Sequence, residues 1–278
     1  MVNFCEEISG SPWLGGLVKI SETTSDLQTI QYFRSKEFGR VLVIDGELQH
    51  VEAWAPFYHE IVIHLPMAFL RAPKRCLVLG GGSLFAAEEL LKYQSIDLVE
   101  MVDHDLQVID ATLDAYPERR WVVEDERFNL VNMDCEEYLQ KCDHRFDIIV
   151  NDCFNLLEVD ARSSVDLYHT LEGLLAENGL VSDLVYRSIY SDDLTRSCIE
   201  RIPDHLSLAM SLVAVPEYPG VFHALTIWGK NRYVTQNAIS SLNGDHKKMF
   251  ASESLTIFNP TMIPFHLYLP PYLRRYTR

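Results

Sequence analysis

The stretch CLVLGGGSLFAAEELL, which begins at Cys76, runs an apolar strand into Gly80, Gly81 and Gly82 and then into a helix. Glycines at such a turn let the backbone approach a ligand closely, because no Cβ stands in the way. The next strand ends VEMVDHD, which puts Asp103 about 20 residues beyond the glycines, where an acidic residue accepts hydrogen bonds from ribose hydroxyls. The rival role for such an aspartate is a helix N-cap, and Asp105 suits that better than Asp103. A third strand ends VNMD at Asp134 and a fourth ends IIVND at Asp152. Successive strands thus deliver a glycine turn or an aspartate to one edge. The turn reads GGGSLF rather than GxGxxG, and no lysine or arginine waits beside it for phosphates. That favours an uncharged or cationic adenosine ligand over a dinucleotide. A sulfonium such as S-adenosylmethionine fits a carboxylate-lined pocket.

These residues need elements to hold them. From about Ala72 the chain alternates apolar strands (CLVL, IDLVEMV, RFNLVNM, FDIIVND, GLVSDLV) with amphipathic runs that begin near Leu84, Asp105, Cys135 and Ser163. Continuous apolar strands alternating with helices predict a parallel sheet covered on both faces. Ligands in such sheets sit beyond the carboxyl ends of the strands. The late segment VFHALTIWGK predicts an antiparallel edge pair. Before Ala72 the chain reads as short strands, TIQYFRS and RVLVIDGELQHVE, with Asp45-Gly46 as a hairpin turn. The expected fold class is α/β: a small N-terminal β domain over 1–68, then a doubly wound Rossmann-like domain over 69–278.

A chain of 278 residues with 47% hydrophobic and 23% charged residues reads as an ordinary soluble protein. Its net charge of −16 argues against nucleic acid or an anionic membrane as partner, since phosphate surfaces need lysine and arginine stripes. The six cysteines show no CxxC pair and no metal-finger spacing, so neither a metal site nor a disulfide framework is expected. With no signal peptide and no apolar run long enough to span a membrane, the expected compartment is the cytoplasm.

The segment FRSKEFGRVLVIDGELQHVEAWAPFYHEIVIHLPM closely resembles the front of spermidine synthase, in the polyamine aminopropyltransferase family. The resemblance continues through PKRCLVLGGG, FDIIVND, AENGLV and VPEYPG to HLYLPPYLRR. It implies a class I methyltransferase-like fold for the second domain and a homodimer or homotetramer built through the first. It also implies site roles. Gln28, Gln49, Tyr58 and His59 fall where the family contacts donor and acceptor. Asp103 matches the ribose partner, and Asp134, with Cys135 beside it, matches the residue next to adenine. Gly80, Gly81, Gly82 and Ser83 form the donor turn. Asp152 matches the catalytic carboxylate, with Tyr58 walling the acceptor opposite Tyr218.

Two departures stand out. The family reads GGGDGG, and its aspartate binds the donor's aminopropyl amine; Ser83 replaces it here. The family carries a second aspartate three residues after the catalytic one; here the run is Asp152-Cys153-Phe154-Asn155. Loss of a buried charge partner for an ammonium costs roughly 2–5 kcal/mol. The expected donor is S-adenosylmethionine or its decarboxylated form, these changes favouring the first, and the expected acceptor is a small molecule other than ordinary putrescine, larger or less cationic than a diamine, met by Phe154 and Asn155. Aminopropyl, 3-amino-3-carboxypropyl and methyl transfer all stay open, as does a non-catalytic member that binds an adenosyl ligand. Any of the transfers is a displacement at a carbon bonded to the sulfonium sulfur, with Asp152 accepting a proton from the attacking amine or orienting it. Cys153 has no histidine placed beside it by motif and is not expected to act as a nucleophile.

Overall fold

The structure is a computed structural model and describes residues 14, 16–153, 161–185, 192–217, 222–236 and 255–277. Four strands, β1 (Val18–Thr24), β2 (Thr29–Ser35), β3 (Gly39–Ile44) and β4 (Glu47–Val51), form an antiparallel meander in sequence order. The β3–β4 hairpin turns at Asp45 and Gly46 with φ of 51° and 81°, the left-handed pair that a tight hairpin needs. Alternate residues of this meander feed two cores. Phe33, Val41 and Val43 pack with Leu14 and Leu17, whereas Ile30, Tyr32 and Leu42 pack against Phe85, Val108 and Tyr116 of the second domain.

The second sheet has seven strands in the order β10-β11-β9-β8-β5-β6-β7. These are β5 (Arg75–Gly80), β6 (Leu98–Asp103), β7 (Phe128–Asn132), β8 (Phe146–Asp152), β9 (Leu175–Val185), β10 (Ser207–Ala214) and β11 (Phe222–Gly229). The strands from β5 to β9 run parallel, and β11 lies antiparallel to both its neighbours, as the edge-pair reading of VFHALTIWGK predicts. Helices α1 (Ala55–Met67), α2 (Phe85–Leu91), α3 (Leu106–Ala115), α4 (Arg120–Glu124), α5 (Cys135–Lys141), α6 (Ala161–Leu174) and α7 (Asp192–Ile199) cover it. The central strand shows why a parallel sheet reads as unbroken apolar sequence. Cys76 and Val78 pack with α1 and α2 on one face, while Leu77 and Leu79 pack with α5 and α6 on the other.

α1 lies within the first 68 residues, yet its Ile61, Val62, Leu65 and Met67 share the core of the parallel sheet. Its Glu60 carboxylate accepts hydrogen bonds from the backbone N–H groups of Thr256, Ile257 and Phe258, each at 2.7 Å, and so fastens the C-terminal segment to the helix. The two sheets are locked together by Tyr32 Oη and Thr112 Oγ1, 2.8 Å apart. Arg40 adds to that lock, donating to Glu52, to the Ala115 carbonyl and to Glu118. No helix among the described residues is long and apolar enough to cross a membrane.

Candidate active site

β5 and β8 are neighbours, and their register sets Gly80 opposite Asp152. Gly80 takes φ of 80°, and a Cβ there would lie 2.8 Å from Cys153 Cβ and 3.1 Å from the Asp152 carbonyl oxygen. Only glycine lets the two strand ends come this close. Gly81 follows with φ of 90°, and a Cβ on Gly82 would stand 3.1 Å from an Asp103 carboxylate oxygen. The chain then enters α2 through Leu84, which is buried and holds a left-handed φ of 66° at a position where the GGGDGG pattern has glycine. The next residue, Phe85, also stands in place of a glycine. Its ring stacks on His59 and leans on His50, with centroids 5.1 and 4.0 Å away.

Asp103 ends β6 with one carboxylate oxygen accepting the Asp105 N–H at 2.9 Å. Burial raises its carboxyl above the usual aspartate range. Asp105 is the N-cap of α3, as its spacing predicts, and its side chain also accepts from Ser25 Oγ at 2.7 Å and Gln28 Nε2 at 2.8 Å. The cap thus orients Gln28 across the interface between the sheets. Tyr58, on α1, reaches the far side of the cleft, where its hydroxyl donates to Asp152 Oδ1 at 2.6 Å. Desolvation raises the Asp152 carboxyl to about 6, against the pull of the Tyr58 hydrogen bond, and the Asp103 charge adds to the rise. His59 Nδ1 donates to the Ala55 carbonyl at 3.1 Å, and burial lowers its ring to about 4, so it is neutral near pH 7. The hydrogen bond with Cys135 raises the Cys153 thiol above its ordinary range.

A cavity of about 240 Å³ opens at this strand edge. Gln28, Gln49, Tyr58, His59, Gly80, Gly81, Gly82, Ser83, Asp103, Cys135 and Asp152, each singled out from sequence, all line it. Asp134 does not: it N-caps α5, accepting the Glu136 and Glu137 N–H groups at 2.9 and 3.1 Å. Phe154, Asn155 and Tyr218 lie outside the described residues.

Of the titratable residues in the lining, sequence reading passed over His50, His104 and Glu217. His50 is buried, with its ring held below its ordinary pKa mainly by desolvation, and Glu217 is 6% exposed. His50 Nε2 and Glu217 Oε2 have no hydrogen-bond partner among the described residues. His50 was hidden inside an ordinary strand alternation. Glu217 stood in plain view in VPEYPG, but an acid between two prolines reads as a solvated turn.

Residues 55–238 match the spermine/spermidine synthase domain, and residues 19–52 match the spermidine synthase tetramerisation domain. The chain belongs to the spermine/spermidine synthase family. Among curated family relatives, a polyamine aminopropyltransferase of Caldicellulosiruptor bescii is 26% identical over 226 residues, 79% of this chain and 81% of its own. A polyamine aminopropyltransferase of Agathobacter rectalis is 32% identical over 158 residues, 56% of this chain and 55% of its own. A thermospermine synthase of Arabidopsis thaliana is 36% identical over 139 residues, 50% of this chain and 41% of its own. The chain thus spans about half the length of these last two relatives. Among solved structures, a Thermotoga maritima spermidine synthase superposes with a TM-score of 0.80 at 24% identity, over 93% of this chain and 87% of its own. A spermidine synthase in complex with the transition-state analogue AdoDATO gives 0.81 at 23% identity, over 97% and 92%. The family fold, a β domain followed by a Rossmann-like α/β domain, is the fold of this chain.

Proposed function

We propose that the protein transfers an aminopropyl group from decarboxylated S-adenosylmethionine to an aliphatic di- or polyamine of the putrescine type. The observation that carries this reading is the charge of the cavity wall. Asp103, Asp152 and Glu217 line it, and no lysine or arginine does among the described residues. The reactants of aminopropyl transfer are cations, a sulfonium with a primary amine and an amine acceptor, and an anionic wall favours them. Among the described residues, the carboxylate of S-adenosylmethionine would meet no lysine or arginine there. The cavity therefore supports a different donor and a more cationic acceptor than Ser83 and Asn155 led us to expect.

In this reading Gly80–Gly82 and Asp103 hold the adenosyl part, with Gln28 and Gln49 along its flank. The acceptor nitrogen attacks the methylene carbon bonded to sulfur. A C–N bond forms, the C–S bond breaks with its electron pair going to sulfur, and methylthioadenosine leaves. The attacking nitrogen gives up one proton, which Asp152 takes in this reading; the hydrogen bond from Tyr58, which would fix the carboxylate's orientation, supports that role. Alignment of nitrogen, carbon and sulfur supplies much of the remaining acceleration. The meander of β1–β4 serves as the assembly surface of a homotetramer or homodimer, a reading supported by its match to the tetramerisation domain and by Val18 and Ile20, 64% and 42% exposed on its edge strand.

Calorimetric titration with decarboxylated S-adenosylmethionine, S-adenosylmethionine and methylthioadenosine tests the donor, followed by turnover with putrescine. Tightest binding of the decarboxylated donor, with turnover, is expected. Preference for the carboxylated donor would move the assignment to methyl or aminocarboxypropyl transfer, and binding without turnover of any amine to a non-catalytic role.

A further inference from the structure

Glu217 follows Pro216 in the turn after β10 and sits beside Val215 in the cavity wall. One of its carboxylate oxygens accepts the Val51 N–H at 3.2 Å, and the other has no partner among the described residues. The side chain is 6% exposed. A carboxylate taken out of water without a counter-charge is costly, and it is retained where a ligand completes it. Burial accordingly raises the Glu217 carboxyl to about 7.

The other two acids of the wall already have work. Asp103 accepts the Asp105 N–H, and Asp152 is tied to Tyr58 beside the glycine turn. Ser83, at the donor turn, is uncharged. Aminopropyl transfer leaves at least one ammonium that does not react, the terminal amine of the donor's propyl arm or the far amine of the acceptor. A half-satisfied buried carboxylate in the same cavity is the chemical complement of such a group. We propose that the Glu217 carboxylate binds this non-reacting primary ammonium and is the residue by which the site requires it. This inference rests on the aminopropyltransferase reading and adds to it the residue that selects cationic reactants.

Glu217→Gln keeps both the shape and the acceptor for the Val51 N–H and removes only the charge. Two comparisons read its effect: putrescine against 4-amino-1-butanol as acceptors, and decarboxylated S-adenosylmethionine against methylthioadenosine as ligands. Wild type should favour the charged member of at least one pair, and E217Q should lose about 30-fold or more in KM or Kd for that member. Its values for the neutral member should stay within a few-fold, which also shows that the variant is folded. A loss confined to putrescine assigns Glu217 to the acceptor, and one confined to the decarboxylated donor, and not shared by the sulfonium of S-adenosylmethionine, assigns it to the propyl arm. An active wild type that does not discriminate within either pair, or an E217Q that keeps wild-type discrimination, overturns the inference. A wild type that neither binds the donor nor turns over any amine overturns the aminopropyltransferase reading instead.

Discussion

Tyr58 Oη lies 2.6 Å from Asp152 Oδ1, so a helix that precedes the parallel sheet controls the carboxylate at the end of its fourth strand in chain order. The contact joins residues 94 positions apart and bridges the cleft between α1 and β8. Asp152→Asn keeps the hydrogen bond to Tyr58 and abolishes the base, so kcat should fall by about 10²–10⁴ while methylthioadenosine binds within a few-fold of wild type. Full turnover in this variant would remove Asp152 from the chemistry.

Tyr58→Phe should act through the titration of Asp152 as well as through acceptor packing. The Tyr58 hydrogen bond lowers the Asp152 carboxyl, so its loss should move the acidic limb of the kcat/KM profile upward from about 6. A limb that stays in place would show that Asp152 is not the group being titrated.

The wild-type profile should carry two acidic ionisations. In the proposed mechanism Asp152, near 6, and Glu217, near 7, both work as carboxylates, so activity should fall as pH drops through 7 and fall more steeply below 6. His50 and His59, held low by burial, stay neutral across this window, and Asp103, though raised, remains an acid of the wall on the same side of the balance. E217Q should retain only the limb near 6. Stopped-flow or coupled assays between pH 5 and 8 separate the two.

Gly80→Ala should damage both folding and catalysis. The added methyl meets Cys153 Cβ at 2.8 Å on a backbone of φ 80°, which costs on the order of 1–3 kcal/mol. Denaturant unfolding gives that loss, and a fall in kcat beyond it reports the displacement of Asp152. A variant with wild-type stability and rate would mean that the strand ends are less tightly apposed.

Asp183 offers a stability test away from the reactants. It is fully buried, accepts from Asn151 Nδ2 at 2.8 Å, and burial raises it to about 7. A carboxyl raised in the folded state stabilises below its ordinary value near 4, and that contribution is lost as pH rises through 7. Asp183→Asn, which cannot ionise, should therefore gain on wild type by on the order of 1–4 kcal/mol between pH 4 and 8. Thermal melts across that range would show the gap opening. A constant gap would mean that Asp183 does not titrate in this window.

Much of the site was legible in the sequence because its residues sit where strands end. A strand that is apolar until it stops at a glycine or an aspartate identifies both the strand and the edge where the cavity opens, and Gly80, Asp103 and Asp152 are legible in this way. Asp134 obeys the same pattern but caps α5, since an aspartate before a helix satisfies the free N–H groups whether or not a ligand lies near. Nothing local distinguishes the two cases.

The sequence by itself determined the order of elements, the parallel sheet, the hairpin at Asp45-Gly46 and the glycine turn, because each rests on short-range periodicity and backbone preference. Only the tertiary structure decided which residues share the cavity. Val51 comes 166 positions before Glu217, and their hydrogen bond exists because β4 and the turn after β10 meet at one wall. That meeting removes Glu217 from water and leaves one oxygen without a partner, and neither burial nor an unfilled hydrogen bond is a property of the residue type. Charge can be counted along a chain, but its worth depends on the solvent it has lost, which the fold alone sets.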